Sequence, residues 1–294
     1  MIPKSFDYHL AHSIPEALKY YQKYGDKAKY ISGGHSLLPM MKLRFATPEQ
    51  IIDISKIEGY AFVEEDGDLL KIGALTTQSE IEHSPLIKQK YPIFKDAIKL
   101  IADPSVRNVG TLGGNLAHGD AANDQPALMM AMRANIITQG MEGQKTIPVD
   151  SFFKGFYETA LDPGAILTEI HLPKAKSGAG GAYHKVERKV GDYATAGVAV
   201  YIVLDSAQNC EQVGISLTNV DFIPARVARA EELIVGNPIT DELIEKSAVI
   251  ASQDCNPSTD LRGSEEFKRA VVQHITSQTL KKAVKRAKST LKAN

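Results

Sequence analysis

The protein has 294 residues, and its 34 Lys and Arg against 35 Asp and Glu give a formal net charge of -1. A chain of this length is expected to form about two domains. The balanced charge argues against nucleic acid as a main partner. No apolar run is long enough for a membrane span, and the N-terminus lacks the apolar stretch of a signal peptide. These features predict a cytoplasmic protein without a membrane span.

Cysteine and charge distribution narrow the possible functions further. The two cysteines, Cys210 and Cys255, are too few to ligate an iron–sulfur cluster and too far apart for a CxxC motif. Any iron–sulfur cluster that serves this chain is therefore expected on another chain. Residues 264–294 carry eight basic and two acidic residues, a local net charge of +6. This pattern predicts a helix with a solvated face, or one that docks on an acidic neighbour.

The first half of the chain alternates between short strands and helices. The Ser13/Glu16 spacing is a capping box and predicts a helix that runs to about Tyr24 and stops at Gly25. An Asp-Gly turn within 65–68 predicts a hairpin. The other predicted elements are strands at 29–32, 50–54, 60–63, 69–74, 135–139, 145–149 and 165–172, an apolar helix or buried turn from 37, and helical segments to about 102 and over 124–132.

The second half is predicted to form a separate domain of the α+β class. Residues 174–181 (KAKSGAGG) are small and flexible, which predicts a linker or mobile loop and places a domain boundary near it. The predicted domains are residues 1–176 and 177–294. The elements predicted in the second are strands at 183–189, 197–204 and 212–220 and helices at 225–235, 241–252 and 265–288.

Two glycine loops are the strongest candidates for a binding site. Glycine lets backbone amides converge on an anion because it has no Cβ. Two such loops suit the pyrophosphate of a dinucleotide, with Ser36, Thr111 and Asn115 adding side-chain hydrogen bonds. Either loop alone is more typical of a tight turn than of a binding site. Their residues are Ser32, Gly33, Gly34, His35 and Ser36 in the first loop, and Thr111, Leu112, Gly113, Gly114 and Asn115 in the second, which is predicted to lie between two helical segments.

Several familiar sites are excluded by spacing. The chain has no GxxxxGK[ST] motif and no GxGxxG motif that opens a helix, which argues against P-loop and Rossmann sites. HExxH and GxSxG are also missing, and His9 and His12 have no nearby partners at metal-ligand spacing. No metal site and no hydrolytic triad are therefore predicted.

Three segments together carry a resemblance to a known family. Residues 32–45 (SGGHSLLPMMKLRF), 102–127 (ADPSVRNVGTLGGNLAHGDAANDQPA) and 260–269 (DLRGSEEFKR) resemble the flavin-binding medium subunit of molybdenum hydroxylases. The likeness is strongest to the branch of carbon monoxide dehydrogenase and archaeal glyceraldehyde-type aldehyde dehydrogenase, and it covers nearly the whole chain. Ser32 and Gly119 replace alanines that are common in that branch, which leaves the subfamily and the substrate open.

The resemblance implies a fold and a set of binding residues. The fold is an α+β architecture with a two-lobed FAD-binding domain of the PCMH or vanillyl-alcohol-oxidase type, followed by a small α+β domain of the CO dehydrogenase flavoprotein type. The amides of 32–36 and 111–115 would hold the FAD pyrophosphate. Of the other residues, Asp124 would bind a ribityl or adjacent hydroxyl, Ile101 and Leu167 would line the cofactor, Lys185 would reach the polar edge of the flavin, and Tyr193 would lie near its ring.

The resemblance also implies a division of labour between chains. This chain would bind FAD without a covalent bond and accept electrons from two [2Fe-2S] clusters on a small partner chain. A molybdenum cofactor on a large partner would oxidise an aldehyde or carbon monoxide, and the assembly would be a dimer of heterotrimers. No residue of this chain would be a proton-transfer catalyst. The alternatives are an autonomous flavin oxidoreductase of the same fold and a scaffold that has lost its flavin, against which the intact glycine loops count.

Overall fold

A small parallel sheet opens the fold in the computed structural model, which describes residues 2–292. Its elements are β1 (Asp7–Leu10), α1 (Ile14–Tyr24), β2 (Ala28–Ile31), α2 (Leu37–Leu43) and β3 (Gln50–Asp53), with the strands in the order β1-β3-β2. The Ser13 hydroxyl accepts a hydrogen bond from the Glu16 amide, and the Glu16 carboxylate accepts one from the His12 amide. The predicted limits of α1 are therefore confirmed.

A five-stranded antiparallel sheet forms the second lobe. Its elements, with their connecting helices, are β4 (Val63–Asp66), β5 (Leu69–Gly73), α3 (Gln78–His83), α4 (Pro85–Lys90), α5 (Pro92–Ile98), α6 (Pro104–Arg107), α7 (Leu112–Ala117), α8 (Asp124–Ala131), β6 (Asn135–Gly140), β7 (Gly143–Pro148), β8 (Phe153–Gly155), β9 (Glu158–Thr159) and β10 (Ile166–Pro173). The strand order is β4-β5-β10-β6-β7, and β8 pairs with β9 separately. The strand predicted at 60–63 is instead β4, which begins at Val63. It extends to Asp66 because Asp66 pairs with Leu69, and only residues 67 and 68 remain for the turn.

The third part is a four-stranded antiparallel sheet covered by helices. Its elements are β11 (Ala179–Val186), β12 (Ala196–Leu204), β13 (Cys210–Thr218), β14 (Ala225–Arg226), α9 (Ala228–Ile234), α10 (Asp241–Asp254) and α11 (Glu265–Lys292). The helix predicted from Ala225 begins three residues later, because Ala225 and Arg226 pair with β13 instead. The fold class predicted from the sequence is confirmed. The domain boundary at 176/177 stays a prediction.

The predicted mobile loop at 174–181 is wrong in its second half. Residues 179–181 are buried and pair with β12. A Cβ at Gly180 would lie 2.3 Å from the Ala283 carbonyl oxygen of α11. The small residues therefore allow α11 to approach the sheet closely, and their composition reflects packing rather than flexibility.

Strand β12 joins the two main cores because its side chains alternate between two faces. Ala199, Tyr201 and Val203 belong to the core shared with the second lobe, whereas Val198 and Val200 belong to the core beneath the C-terminal helices. All eight residues of α8 are buried, and this helix packs against β12 and β13. The packing places Asp124, the first residue of α8, next to the third sheet.

An ion pair fastens α11 to the second lobe. Arg286 donates two hydrogen bonds to the Asp96 carboxylate of α5, at 2.6 and 3.0 Å, and one to the Gly181 carbonyl. Lys282 lies 3.0 Å from the same carboxylate. Burial alone would raise the pKa of Asp96, but the guanidinium and ammonium groups hold it below its usual range. The basic helix predicted from the sequence therefore docks on an acidic neighbour, while residues 293 and 294 lie outside the described residues.

We expect Arg286→Met to destabilise the protein by about 1–3 kcal/mol at pH 7, because a charged hydrogen-bonded carboxylate loses its main partner. The folded-state pKa of Asp96 is depressed, so this stabilisation is present above the unfolded pKa of the carboxyl and is lost as the pH falls through the folded value. The difference in urea unfolding should therefore shrink in acid. The control is Lys281→Met, whose exposed pair with Glu245 should contribute less. Equal effects of the two variants would contradict this account.

Candidate cofactor-binding site

A cavity of about 540 Å³ lies where the two N-terminal lobes meet the loop that follows β11. This volume is within the range of small-molecule and cofactor sites. Most of the residues singled out in the sequence contribute to its lining, and only Leu112 and Lys185 do not. The lining includes Ser32, Gly33, Gly34, His35, Ser36, Ile101, Thr111, Gly113, Gly114, Asn115, Asp124, Leu167 and Tyr193.

The first glycine loop presents free backbone donors. Within residues 2–292, the amides of residues 33–36 donate no hydrogen bond. Gly34 has a φ of +72°, which turns the chain out of β2 and into α2. A run of adjacent unbonded amides is typical of an anion-binding loop.

The second glycine loop differs from its prediction because most of its amides are already bonded. Leu112 and Gly113 donate to the carbonyls of Thr76 and Ala74, both at 2.9 Å, and Asn115 donates to the Thr111 carbonyl. Its segment is the start of α7 rather than a loop between helices, and the Thr111 hydroxyl caps that helix. Leu112 is completely buried in the core. These amides are not free to hold a pyrophosphate, so the loop contributes through its side chains.

Side chains join the two glycine loops. The hydroxyls of Ser32 and Thr111 are 3.0 Å apart. A Cβ at Gly33 would lie 2.3 Å from the Val109 carbonyl oxygen, so only glycine permits this approach. Asn115 contributes a buried Oδ1 atom that has no hydrogen-bond partner among residues 2–292. A buried unsatisfied acceptor beside a cavity indicates a missing donor.

Asp124 is held from behind the cavity by the third sheet. Its Oδ1 atom accepts a 2.6 Å hydrogen bond from the Tyr183 hydroxyl, and its Oδ2 atom lies 3.2 Å from Lys185 Nζ. Burial raises the pKa of Asp124, and the ammonium and hydroxyl groups act against that rise. Because a carboxylate has about four lone-pair sites, Asp124 retains acceptor capacity for a group in the cavity.

Lys185 is placed differently from its prediction. Its side chain is 1% exposed, and its ammonium binds the carbonyls of Leu100 and Asp192 at 2.7 and 2.9 Å as well as Asp124. It therefore does not reach into the cavity. Instead, it fixes three segments that form the cavity wall.

The remaining wall is apolar and aromatic. Ile101 and Leu167, which were predicted to line the cofactor, line the cavity. Tyr193 is 44% exposed at its rim, and the Arg262 guanidinium lies 5.6 Å from its ring centroid. Arg262 also binds the Asp192 carboxylate, which fixes the residue before Tyr193.

Sequence reasoning missed an aromatic pair at the cavity. The rings of His118 and Tyr157 lie 4.9 Å apart, and both residues line the cavity. Burial lowers the pKa of His118, which favours its neutral form. Tyr157 has a φ of +58°, a conformation that is uncommon for a bulky residue. The sequence signal was weak, because the two residues are 39 positions apart and only the β8-β9 hairpin brings them together.

Comparison with known proteins decides the family. Residues 4–175 match the family described as the FAD binding domain in molybdopterin dehydrogenase, and residues 181–285 match the CO dehydrogenase flavoprotein C-terminal domain. The chain belongs to the FAD-binding medium subunits of molybdenum hydroxylases. The resemblance found in the sequence is thereby confirmed.

Relatives of this family match the chain over almost its full length. It is 41% identical to the carbon monoxide dehydrogenase medium chain of Hydrogenophaga pseudoflava, covering 96% of this chain and 98% of the relative. It is 34% identical to the glyceraldehyde dehydrogenase medium chain of Sulfolobus acidocaldarius, covering 96% and 99%. A solved structure of Hydrogenophaga pseudoflava carbon monoxide dehydrogenase that lacks the Mo-pyranopterin moiety of its cofactor superimposes with a TM-score of 0.94 at 42% identity, covering 97% of this chain and 99% of that chain.

The cavity residues suit the FAD that this family binds. The four unbonded amides at 33–36 and the unsatisfied Asn115 Oδ1 offer donors and an acceptor that no other group in residues 2–292 uses. Both cysteines are buried free thiols, and the described residues contain no group of three or more potential metal ligands. None of the helices in the described part of the chain could span a bilayer.

Gly33→Ala should lower the FAD content of the purified protein at least about tenfold, which corresponds to 1.4 kcal/mol of binding free energy. The added Cβ would displace the Val109 carbonyl and separate the two glycine loops. The control is Gly140→Ala, whose Cβ would meet its nearest atom at an ordinary 3.8 Å. FAD content is measured by absorbance after acid release, and circular dichroism checks folding. A folded Gly33→Ala protein with full flavin content would refute the assignment.

Proposed function

We propose that this protein is the FAD-carrying electron-transfer subunit of a three-chain molybdenum hydroxylase. The observation that carries the proposal is that residues 33–36, whose amides donate no hydrogen bond, line the same cavity as Asn115, whose Oδ1 atom is an unsatisfied acceptor. FAD, when bound, accepts electrons from one-electron donors and passes them to an external acceptor. The protein supplies binding, orientation and electrostatics.

Each part of the cavity has a separate binding role. The amides of residues 33–36 bind the pyrophosphate, assisted by the hydroxyls of Ser36 and Thr111. Asn115 Oδ1 and the Asp124 carboxylate accept hydrogen bonds from hydroxyls or N–H groups of the cofactor. Ile101, Leu167 and Tyr193 exclude water from the ring. Lys185 positions Asp124 and the segments on either side of it.

The partners supply the chemistry that this chain lacks. A small partner with two [2Fe-2S] clusters delivers electrons, and a large partner with the molybdenum cofactor oxidises carbon monoxide or an aldehyde. This proposal includes a dimer of heterotrimers and a cytoplasmic location. The relatives, whose names describe medium chains of carbon monoxide and glyceraldehyde dehydrogenases, support the existence of the partner chains.

Purification of the tagged chain from its native host tests this proposal. We expect a flavin absorbance spectrum together with one large chain that contains molybdenum and one small chain that contains iron, identified by mass spectrometry and metal analysis. Flavin without partners would favour the autonomous flavin oxidoreductase. A colourless assembly with both partners would favour the scaffold.

Asn115→Ala should weaken cofactor binding without lowering the stability of the flavin-free protein. It removes a buried acceptor that has no partner among the described residues, so the flavin-free protein should be as stable as the wild type or more stable. FAD binding should weaken about five- to tenfold, the equivalent of one hydrogen bond. Differential scanning calorimetry and FAD titration of the deflavinated assembly measure the two effects. A large loss of stability without FAD would instead indicate a structural role.

A further inference from the structure

Two buried glutamines meet at the wall of the cavity. Gln78 is 2% exposed and lines the cavity, whereas Gln125 is completely buried and does not. Gln125 Nε2 donates a 2.7 Å hydrogen bond to Gln78 Oε1. The Gln78 Nε2 atom makes no hydrogen bond within residues 2–292, yet it is not fully buried, so it has access to the cavity. The pair therefore leaves one polar atom of Gln78 available to a ligand.

Both the backbone and the side chain of Gln78 are held in place. Gln78 is the first residue of α3, which Thr77 and Glu80 cap, and its amide donates to the Gly110 carbonyl at 2.9 Å. Its partner Gln125 belongs to the buried helix α8 and has an Oε1 atom without a hydrogen-bond partner among the described residues. A buried unsatisfied acceptor lowers stability. The pair therefore costs stability at Gln125 while it fixes the side chain of Gln78.

Gln78 belongs to a polar wall of the cavity, defined as Gln78, Asn115, Asn123 and Asp124. The wall is continuous, because Asn123 Nδ2 donates to the Asn115 carbonyl at 3.2 Å and Asp124 leads directly to Gln125, which binds Gln78. Its three carboxamides can each donate and accept hydrogen bonds, and its carboxylate can accept them. A hydroxyl both donates and accepts as well. The wall therefore matches a chain of hydroxyl groups.

We propose that Gln78, held by Gln125, hydrogen-bonds a hydroxyl of the ribityl chain of FAD. This inference rests on the proposed function. The other parts of the cofactor have other partners, because the amides at 33–36 suit the pyrophosphate and the apolar side chains of Ile101 and Leu167 suit the ring. The contact does not depend on which way the Gln78 carboxamide is turned, since a hydroxyl can bind its nitrogen or its oxygen.

The test compares the affinities of the deflavinated assembly for riboflavin and for lumiflavin, which has the same ring but a methyl group in place of the ribityl chain. The ratio of the two dissociation constants isolates the contribution of the ribityl chain. Gln78→Met should lower the preference for riboflavin about five- to tenfold, the equivalent of one hydrogen bond. The control is Gln144→Met, which makes the same replacement at an exposed position outside the cavity and should leave the ratio unchanged.

An unchanged ratio in a folded Gln78→Met protein would overturn the proposal. A contact between Gln78 and the ring, or a general loss of packing, would weaken the binding of both flavins equally. A contact with the pyrophosphate would weaken the binding of FAD alone. Each of these results leaves the ratio at its wild-type value and excludes a bond to the ribityl chain.

A second variant and a second ligand cover the cases in which this comparison fails. If Gln78→Met does not fold, the double variant Gln78→Met/Gln125→Met replaces it, since removal of both partners of a buried hydrogen bond is nearly neutral. If either flavin binds too weakly to measure, competition of ADP against FAD decides. The variant should then lose affinity for FAD but keep the wild-type affinity for ADP, which has no ribityl chain, and equal losses would overturn the proposal. A wild-type assembly that binds no flavin would refute the proposed function instead.

Discussion

The cavity depends on one buried cation. Lys185 Nζ binds three groups that are distant in sequence. They are the carboxylate of Asp124 at the start of α8, the carbonyl of Leu100 just after α5, and the carbonyl of Asp192 in the loop after β11. Each of these segments contributes a wall residue: Asp124, Ile101 and Tyr193. A buried ammonium is tolerated only where carbonyls and carboxylates satisfy it. The contacts that stabilise the buried Lys185 ammonium therefore also fix the geometry of the site.

The opposite side of the cavity depends on the close approach of two loops. Gly33 and the Val109 carbonyl are in contact, and the Ser32 and Thr111 hydroxyls lie 3.0 Å apart. The two loops use their backbone amides differently. The first keeps its amides free for an anion, whereas the second uses its amides to begin α7 and to anchor it to residues 74–76. The second loop needs glycine for packing instead, because a Cβ at Gly113 would lie 2.5 Å from the Ala74 Cβ.

Sequence patterns predicted the elements governed by local chemistry. Helix α1 follows from its cap and its terminal glycine, and the loop at 32–36 was recognised from small residues after a strand. Predictions failed where contacts between residues that are far apart in sequence determine the structure. Residues 179–181 look flexible in isolation, but the carbonyl of Ala283 leaves no room for a side chain at Gly180. Lys185 was predicted to reach the flavin edge, but it binds the carbonyls of Leu100 and Asp192 instead, and no sequence pattern reveals those contacts.

The proposed function depends above all on binding of the FAD pyrophosphate by the loop at 33–36. The most direct measurement is a titration of the deflavinated assembly with FAD and with riboflavin, which has the same ring but no phosphate. We expect FAD to bind far more tightly than riboflavin, and Gly33→Ala to reduce that difference while leaving riboflavin binding almost unchanged. Equal affinities for the two flavins in the wild-type protein would contradict the account.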